Sequence, residues 1–182
     1  MKKQVTKYYI LLLLAIMFAA PGIAAYLFYQ HPTWLSATKV NKGTLLNPPV
    51  ELSSLNSQSK WQIIFWNPKS CERACLKQLD LLARVRLALG RKLYSVDQRL
   101  ILGDNNSLIP DEVRKVLQER DFHLLQLTTE DREKLEDLSP EAKIFIANPD
   151  NFLVMSYQSG VNPDDVYKDI KLLLNTTEKK SG

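Results

Sequence analysis

The 182-residue chain carries 24 Lys and Arg against 20 Asp and Glu, a net charge of +4, and 45% of its residues are hydrophobic. That balance excludes a disordered polyelectrolyte. With no dense Lys/Arg block interleaved with aromatics, it also argues against a nucleic-acid partner. Two cysteines in a single C-x-x-x-C do not make a disulfide framework. The chain offers no Ser/His/Asp set, no HExxH and no phosphate loop, so a hydrolase or nucleotide enzyme is unsupported.

Lys2, Lys3 and Lys7 open the chain, and from Tyr8 to Gln30 there is no charge. A helix needs about 20 apolar residues to cross a bilayer. Tyr8, Tyr9, Tyr26 and Tyr29 stand at the two ends, where interfacial aromatics belong. Pro21-Gly22 is tolerated in membrane helices as a kink. Residues 1–30 are therefore expected to be a basic N-terminus followed by a single-pass anchor. The preceding lysines orient it with the N-terminus in the cytoplasm, a bacterial inner-membrane topology that puts the rest in the periplasm. The rival reading is a cleaved leader ending near Gly22-Ile23-Ala24-Ala25, but the apolar run continues into Tyr26-Leu27-Phe28-Tyr29. Either way the remainder, roughly 140–150 residues, suits one exported domain in an oxidising compartment.

Residues 31–59 read as linker and lead-in. A short edge strand or hairpin is expected before Pro48-Pro49, which should end it, and residues 53–59 read as loop. Trp61-Gln62-Ile63-Ile64-Phe65-Trp66 is an apolar run of strand length. Asn67-Pro68 stops it, and Cys71 and Cys75 follow at the start of a helical pattern over 71–93, with Gly90 as the expected C-cap. Arg73, Lys77, Arg84, Arg86 and Arg91 load the faces of this helix away from its leucines. Arg84, Arg86, Arg91 and Lys92 read as solvated surface, or as contacts to anionic lipid or an acidic partner.

Further on, 96–102 reads as strand, 110–120 as a helix with Pro110 in its first turn, and 122–127 as a third strand. Thr128 heads a short helix to about Leu138. Residues 143–147 and 152–157 flank Asn148-Pro149-Asp150-Asn151, a hairpin signal. Asn162-Pro163-Asp164-Asp165 opens a last helix with Val166, Ile170, Leu173 and Leu174 apolar, and a polar tail occupies 177–182. Strand–helix alternation followed by a hairpin and a covering helix makes an α/β fold, a central mixed sheet flanked by helices, over residues 60–176.

Thiols delivered by a strand to a helix N-terminus sit where backbone N–H groups and the helix dipole favour thiolate. One helical turn between Cys71 and Cys75 sets their Cα atoms about 5.5–6 Å apart, within disulfide range. Cys71, nearer the helix end and more exposed, is the expected attacking thiol and Cys75 the resolving one. Lys69, Arg73 and Lys77 favour thiolate and Glu72 opposes it. The bland alternative is a structural pair. Trp61 and Trp66 are expected in the core and at the rim of this site. Of the two histidines, His31 abuts the apolar span and His123 falls inside the third strand, where a structural role is the simple reading.

The stretches WQIIFWNPKSCERAC, KIFIANPDNFLVMSYQSG and VNPDDVYKDIKLLL resemble the Sco family, thioredoxin-like, membrane-anchored proteins that assist cytochrome c oxidase assembly. The resemblance spans about Lys60 to Leu174 and the anchor. It implies a thioredoxin-like fold, with Cys71 and Cys75 as a redox dithiol or as copper ligands. It further implies a cytochrome c oxidase subunit or another assembly factor as partner, beside membrane lipid at the anchor. Sco proteins add a histidine from the loop before the strand equivalent to 143–147; here Pro140 stands at or near that position. Pro140 instead resembles the proline that thioredoxins set opposite their cysteines, often as a cis peptide. Two thiolates suffice for Cu(I) but not for a tetragonal Cu(II) site. The leading expectation is thiol–disulfide exchange through Cys71 and Cys75. The alternatives are a Cu(I) metallochaperone using the same pair, and a non-catalytic Sco-like interaction module.

Overall fold

The structure, a computed structural model, describes residues 2–30, 41–55, 59–103 and 109–178. It separates into two units, residues 1–40 and residues 41–182.

The first unit is helix α1, Lys2–Gln30, continuous through Pro21. Within it Tyr8–Gln30 is 23 residues long and uncharged, the one helix among the described residues long and apolar enough to cross a membrane. Its large apolar side chains are exposed all round, from Ile10 and Leu13 to Phe18 and Tyr29. A helix apolar on every face requires an apolar environment on every face.

The second unit is a six-stranded sheet with helices on both faces. Its strands are β1 (Thr44–Glu51), β2 (Trp61–Asn67), β3 (Val96–Leu102), β4 (Phe122–Leu124), β5 (Lys143–Ala147) and β6 (Phe152–Gln158), in the order β1-β6-β5-β2-β3-β4. β2, β3 and β4 run parallel; β5, β6 and β1 add antiparallel. Helices α2 (Arg73–Ala88), α3 (Asp111–Glu119), α4 (Thr129–Leu138) and α5 (Pro163–Glu178) complete the domain.

β2 is central and all seven of its residues are buried. Such a strand reads as an unbroken apolar run because both of its faces are covered. Trp61, Ile63 and Phe65 join the core formed with α2, α3 and α5, including Leu79, Val113 and Ile170. Ile64 and Trp66 face the other layer, with Leu135 of α4 and Leu52 and Leu55 of the lead-in.

Local signals set most of the element ends. Thr128 caps α4 by accepting from the Asp131 amide at 3.3 Å. Asn148 Oδ1 accepts from the Asp150 and Phe152 amides in the β5–β6 turn, where Asn151 takes φ +67°. Asn162 Oδ1 accepts from the Asp164 amide at the start of α5. Gly90, at φ +61°, follows the last turn of α2 as expected.

Four expectations need correction. Pro48-Pro49 does not end β1: Leu45 pairs with Met155 and Val50 with Leu153, so five steps along β1 match two along β6. An edge strand absorbs the prolines in this bulge because its outer side owes no ladder bonds. α2 ends at Ala88, and residues Gly90–Ser95 form a 3-10 turn instead of more α-helix. β4 stops at Leu124, its last bond to β3 running from the Leu125 amide to the Leu100 carbonyl at 2.9 Å. α5 runs beyond Leu174 to Glu178.

Candidate functional site

β2 delivers the site, and the loop after it is held at both ends. Asn67 Nδ2 donates to the Ser70 carbonyl at 3.3 Å, and the Lys69 amide donates to Asn67 Oδ1 at 3.5 Å. The Gly103 amide, at the end of β3, donates to the Asn67 carbonyl at 2.9 Å. α2 begins at Arg73 rather than at Cys71, so Cys71 lies in the loop and Cys75 in the first turn of the helix. The helix is entered through Glu72 in extended backbone with no side-chain cap, and its first turn holds no acid. The carboxylate beside its N-terminal dipole is that of Glu72 itself, which also lines the cavity next to the cysteines.

Cys71 and Cys75 form a disulfide with Cα atoms 5.1 Å apart. The pair is packed into the α2-side core, Cys71 at 8% exposure and Cys75 at 4%. Cys71 is the more exposed, but by little. A cavity of about 220 Å³ opens beside the bond, with Phe65, Ser70, Glu72, Cys75, Ala142 and Ser159 among its lining residues, and Lys69 at its margin. Its lining carries one sulfur, from Cys75, two serines and both signs of charge, from Glu72 and Lys69. Such a pocket admits a side chain or a short extended segment to the disulfide.

The tertiary structure changes three expectations. Trp66 is not at the rim: it points to the opposite face and donates from Nε1 to the Ser139 carbonyl at 3.0 Å. Trp61 lies at the other end of β2, its Nε1 on Thr177 Oγ1 at 3.3 Å. Period-2 alternation separates 66 from 65, so Phe65 lines the cavity. Pro140 is exposed, is absent from the lining, and is trans, Asn47–Pro48 being the one cis bond among the described residues. Ala142, two residues on, is what this loop brings to the site. His123 is an exposed residue of edge strand β4, 3.9 Å from Asp121, and β3 separates that strand from β2. His31 lies outside the described residues.

Among the described residues the structure assembles no three-ligand site for copper. No group of three or more His, Cys, Asp or Glu is arranged to hold a metal among the described residues. The cavity adds only oxygen donors and the Lys69 ammonium to the sulfurs, a poor set for a soft cation.

Sequence reasoning missed Ala142, Ser159 and Gln78. Gln78 Oε1 accepts from the Gly160 amide at 3.3 Å and ties the β6–α5 turn, with Ser159, to α2. The one signal for that turn was the Ser-Gly after β6, where Gly160 takes φ +86°.

The fold has parallels among known proteins. Residues 61–177 match the family described as "Transmembrane-like, thioredoxin-like, C-terminal domain". Apo Sco1 protein from Thermus thermophilus superposes with a TM-score of 0.55 at 18% identity, over 73% of this chain and 96% of that one. Arabidopsis thaliana ScoI with copper bound gives 0.52 at 12% identity, over 74% and 98%. Yeast Sco1 with copper bound gives 0.51 at 15% identity, over 73% and 92%. No curated protein matches the sequence. At these identities the likeness to Sco proteins is one of fold. The match over the whole of the sheet-bearing region from β2 to α5 is one of family, and the chain belongs to the transmembrane-like, thioredoxin-like C-terminal domain family.

Proposed function

We propose that this is a membrane-anchored protein of the bacterial periplasm that supports cytochrome c oxidase assembly by thiol–disulfide exchange through Cys71 and Cys75. The observation that carries the reading is the Cys71–Cys75 disulfide at the uncapped start of α2, beside an open cavity and with no third metal ligand grouped with it among the described residues. The apolar span Tyr8–Gln30 of α1, preceded by Lys2, Lys3 and Lys7, supports the anchor and its orientation. Likeness to the Sco fold supports the oxidase connection, with an oxidase subunit or another assembly factor as partner.

A partner thiolate attacks Sγ of Cys71, the more exposed of the two cysteines, while the neighbouring cavity, walled by Cys75, receives the partner's flanking residues. The Cys71–Cys75 bond breaks, Cys75 leaves as thiolate, and a mixed disulfide joins Cys71 to the partner. The partner's second thiolate then displaces Cys71. Two electrons pass to this chain, which ends as a dithiol, and the partner ends with a disulfide; the reverse sequence reduces a partner disulfide. The α2 N-terminus and Lys69 stabilise the departing thiolates.

The test is the dithiol potential of the purified protein, a Cu(I) titration, and oxidase assembly in cells carrying Cys71→Ser or Cys75→Ser. The expected result is a measurable potential, weak Cu(I) binding and loss of oxidase assembly in either variant. Tight 1:1 Cu(I) binding abolished by Cys71→Ser would transfer the role to copper delivery. Assembly at wild-type level in both variants would leave only a non-catalytic interaction module.

A further inference from the structure

The two outer layers of the domain differ in charge. On α2, Arg73, Lys77 and Arg84 are exposed along one face, and Arg91 is exposed in the 3-10 turn that follows. Positions 73, 77 and 84 fall within about 40° of one another on a helix of 3.6 residues per turn. Asp80, beside them, is committed to Arg84 at 2.7 Å and to Arg120 at 2.8 Å. Set into this basic strip are two apolar side chains with no burial to account for them, Leu87 at 62% exposure and Tyr94 at 74%. Lys92 Nζ donates to Asn175 Oδ1 at 2.6 Å and joins the 3-10 turn to α5, which adds exposed Lys168, Lys171 and Leu172 to the same layer. Across the sheet, α4 exposes Glu130, Glu133, Glu136 and Asp137.

We propose that the α2–α5 layer is a docking surface for anionic lipid headgroups of the membrane that holds α1. Basic residues a few ångströms from an anionic bilayer are drawn to it, while a Leu and a Tyr at that depth exchange water for the headgroup boundary. The acidic α4 layer is repelled, so the charge asymmetry selects one orientation. The ten residues 31–40 between the anchor and the domain span at most about 36 Å when fully extended, so the domain stays near the membrane. Docked this way, α2 lies along the membrane with Cys71 and Cys75 at its start, within reach of thiols that a membrane-embedded partner exposes at the headgroup level. The proposal rests on the anchor proposed above.

The full chain is reconstituted into vesicles of phosphatidylcholine alone or mixed with phosphatidylglycerol. Alkaline extraction reads the anchor, and labelling by a membrane-impermeant amine reagent reads the surface. Extraction of the chain from both vesicle types would remove the anchor, and the proposal with it. With the chain retained, Lys77, Lys168 and Lys171 are expected to label several-fold more slowly in anionic than in neutral vesicles, with Lys134 of α4 unchanged. High salt, or the combination Arg84→Glu, Arg91→Glu and Lys171→Glu, should erase the difference without weakening retention. Equal labelling in both lipids overturns the docking surface and spares the anchor. Slower labelling with soluble polyglutamate but not with anionic vesicles would assign the layer to an acidic protein and overturn it too.

Discussion

Gly103, at the end of β3, lies against the backbone of Pro68, in the loop that carries Cys71. A Cβ on Gly103 would stand 2.4 Å from the Pro68 carbonyl oxygen and 2.8 Å from its Cα. The Gly103 amide donates to Asn67, and Arg132 of α4 donates to the Gly103 carbonyl. A glycine and a proline, remote in sequence, thus fix the turn from which the disulfide projects.

Gly103→Ala must move that turn, since backbone rather than a flexible side chain blocks the methyl. Overpacking of this kind typically costs about 1–3 kcal/mol. Urea denaturation should show that loss, and the dithiol potential should shift with the displaced Cys71. An unchanged potential together with full stability would show the loop to be independent of β3.

Arg86 was expected on the solvated basic face, yet it is a structural tie. Its Nε donates to the Val96 carbonyl at 2.7 Å, and its Nη1 donates to Asp121 Oδ2 at 2.6 Å. Arg86→Lys keeps the charge but not the planar fork, and should destabilise the domain by about 1–3 kcal/mol. Arg84→Lys, at an exposed pair, should change stability by less than about 0.5 kcal/mol. Comparable midpoints for the two variants would contradict this division.

Asp169, buried in α5, accepts from the Lys42 and Gly43 amides and from the Tyr157 hydroxyl at 2.9 Å. Burial, reinforced by the Asp169 carboxylate, pushes the Tyr157 hydroxyl far above the usual phenol range. An unfolded tyrosine loses its proton near pH 10. Above about pH 10 the unfolded chain therefore binds fewer protons than the folded one, and stability falls as pH rises. Tyr157→Phe should cost about 1 kcal/mol at neutral pH. It should also flatten the alkaline fall in Tm relative to wild type; parallel Tm curves from pH 8 to pH 11 would refute the assignment.

Asp131 does the corresponding work on the other face. Burial raises its pKa, but the Ser54 hydroxyl and amide, at 2.6 Å each, and then Ser53 outweigh that and hold the carboxyl below its ordinary value. Its contribution is complete above the unfolded carboxyl value of about 3.9 and is lost as pH falls through the lower folded value. The stability gap between wild type and Asp131→Asn should therefore close below about pH 4. A gap constant from pH 7 to pH 2 would show that the charge is not what matters.

Reduction of Cys71–Cys75 opens a loop of only a few residues, so chain entropy accounts for about 2 kcal/mol at most. The reduced protein should stay folded, with a modestly lower Tm by calorimetry. Unfolding on reduction would make the bond a structural staple and not an exchange site.

Local chemistry alone determined the uncharged span Tyr8–Gln30 of α1, the apolar strand from Trp61 to Trp66, the Thr128 cap, the Asn148 turn and the placement of two cysteines one helical turn apart. Each follows from residues within a few positions of one another, where period, φ preference and side-chain capping act. Only the tertiary structure decided that Trp66 turns away from the cysteines, that Ala142 and Ser159 rather than Pro140 meet them, and that β1 runs on through two prolines. It likewise decided that Arg86 is a tie and not surface. These outcomes depend on which strand neighbours which and on how closely two backbones approach. Contacts between residues distant in sequence set those relations, and no local pattern encodes them.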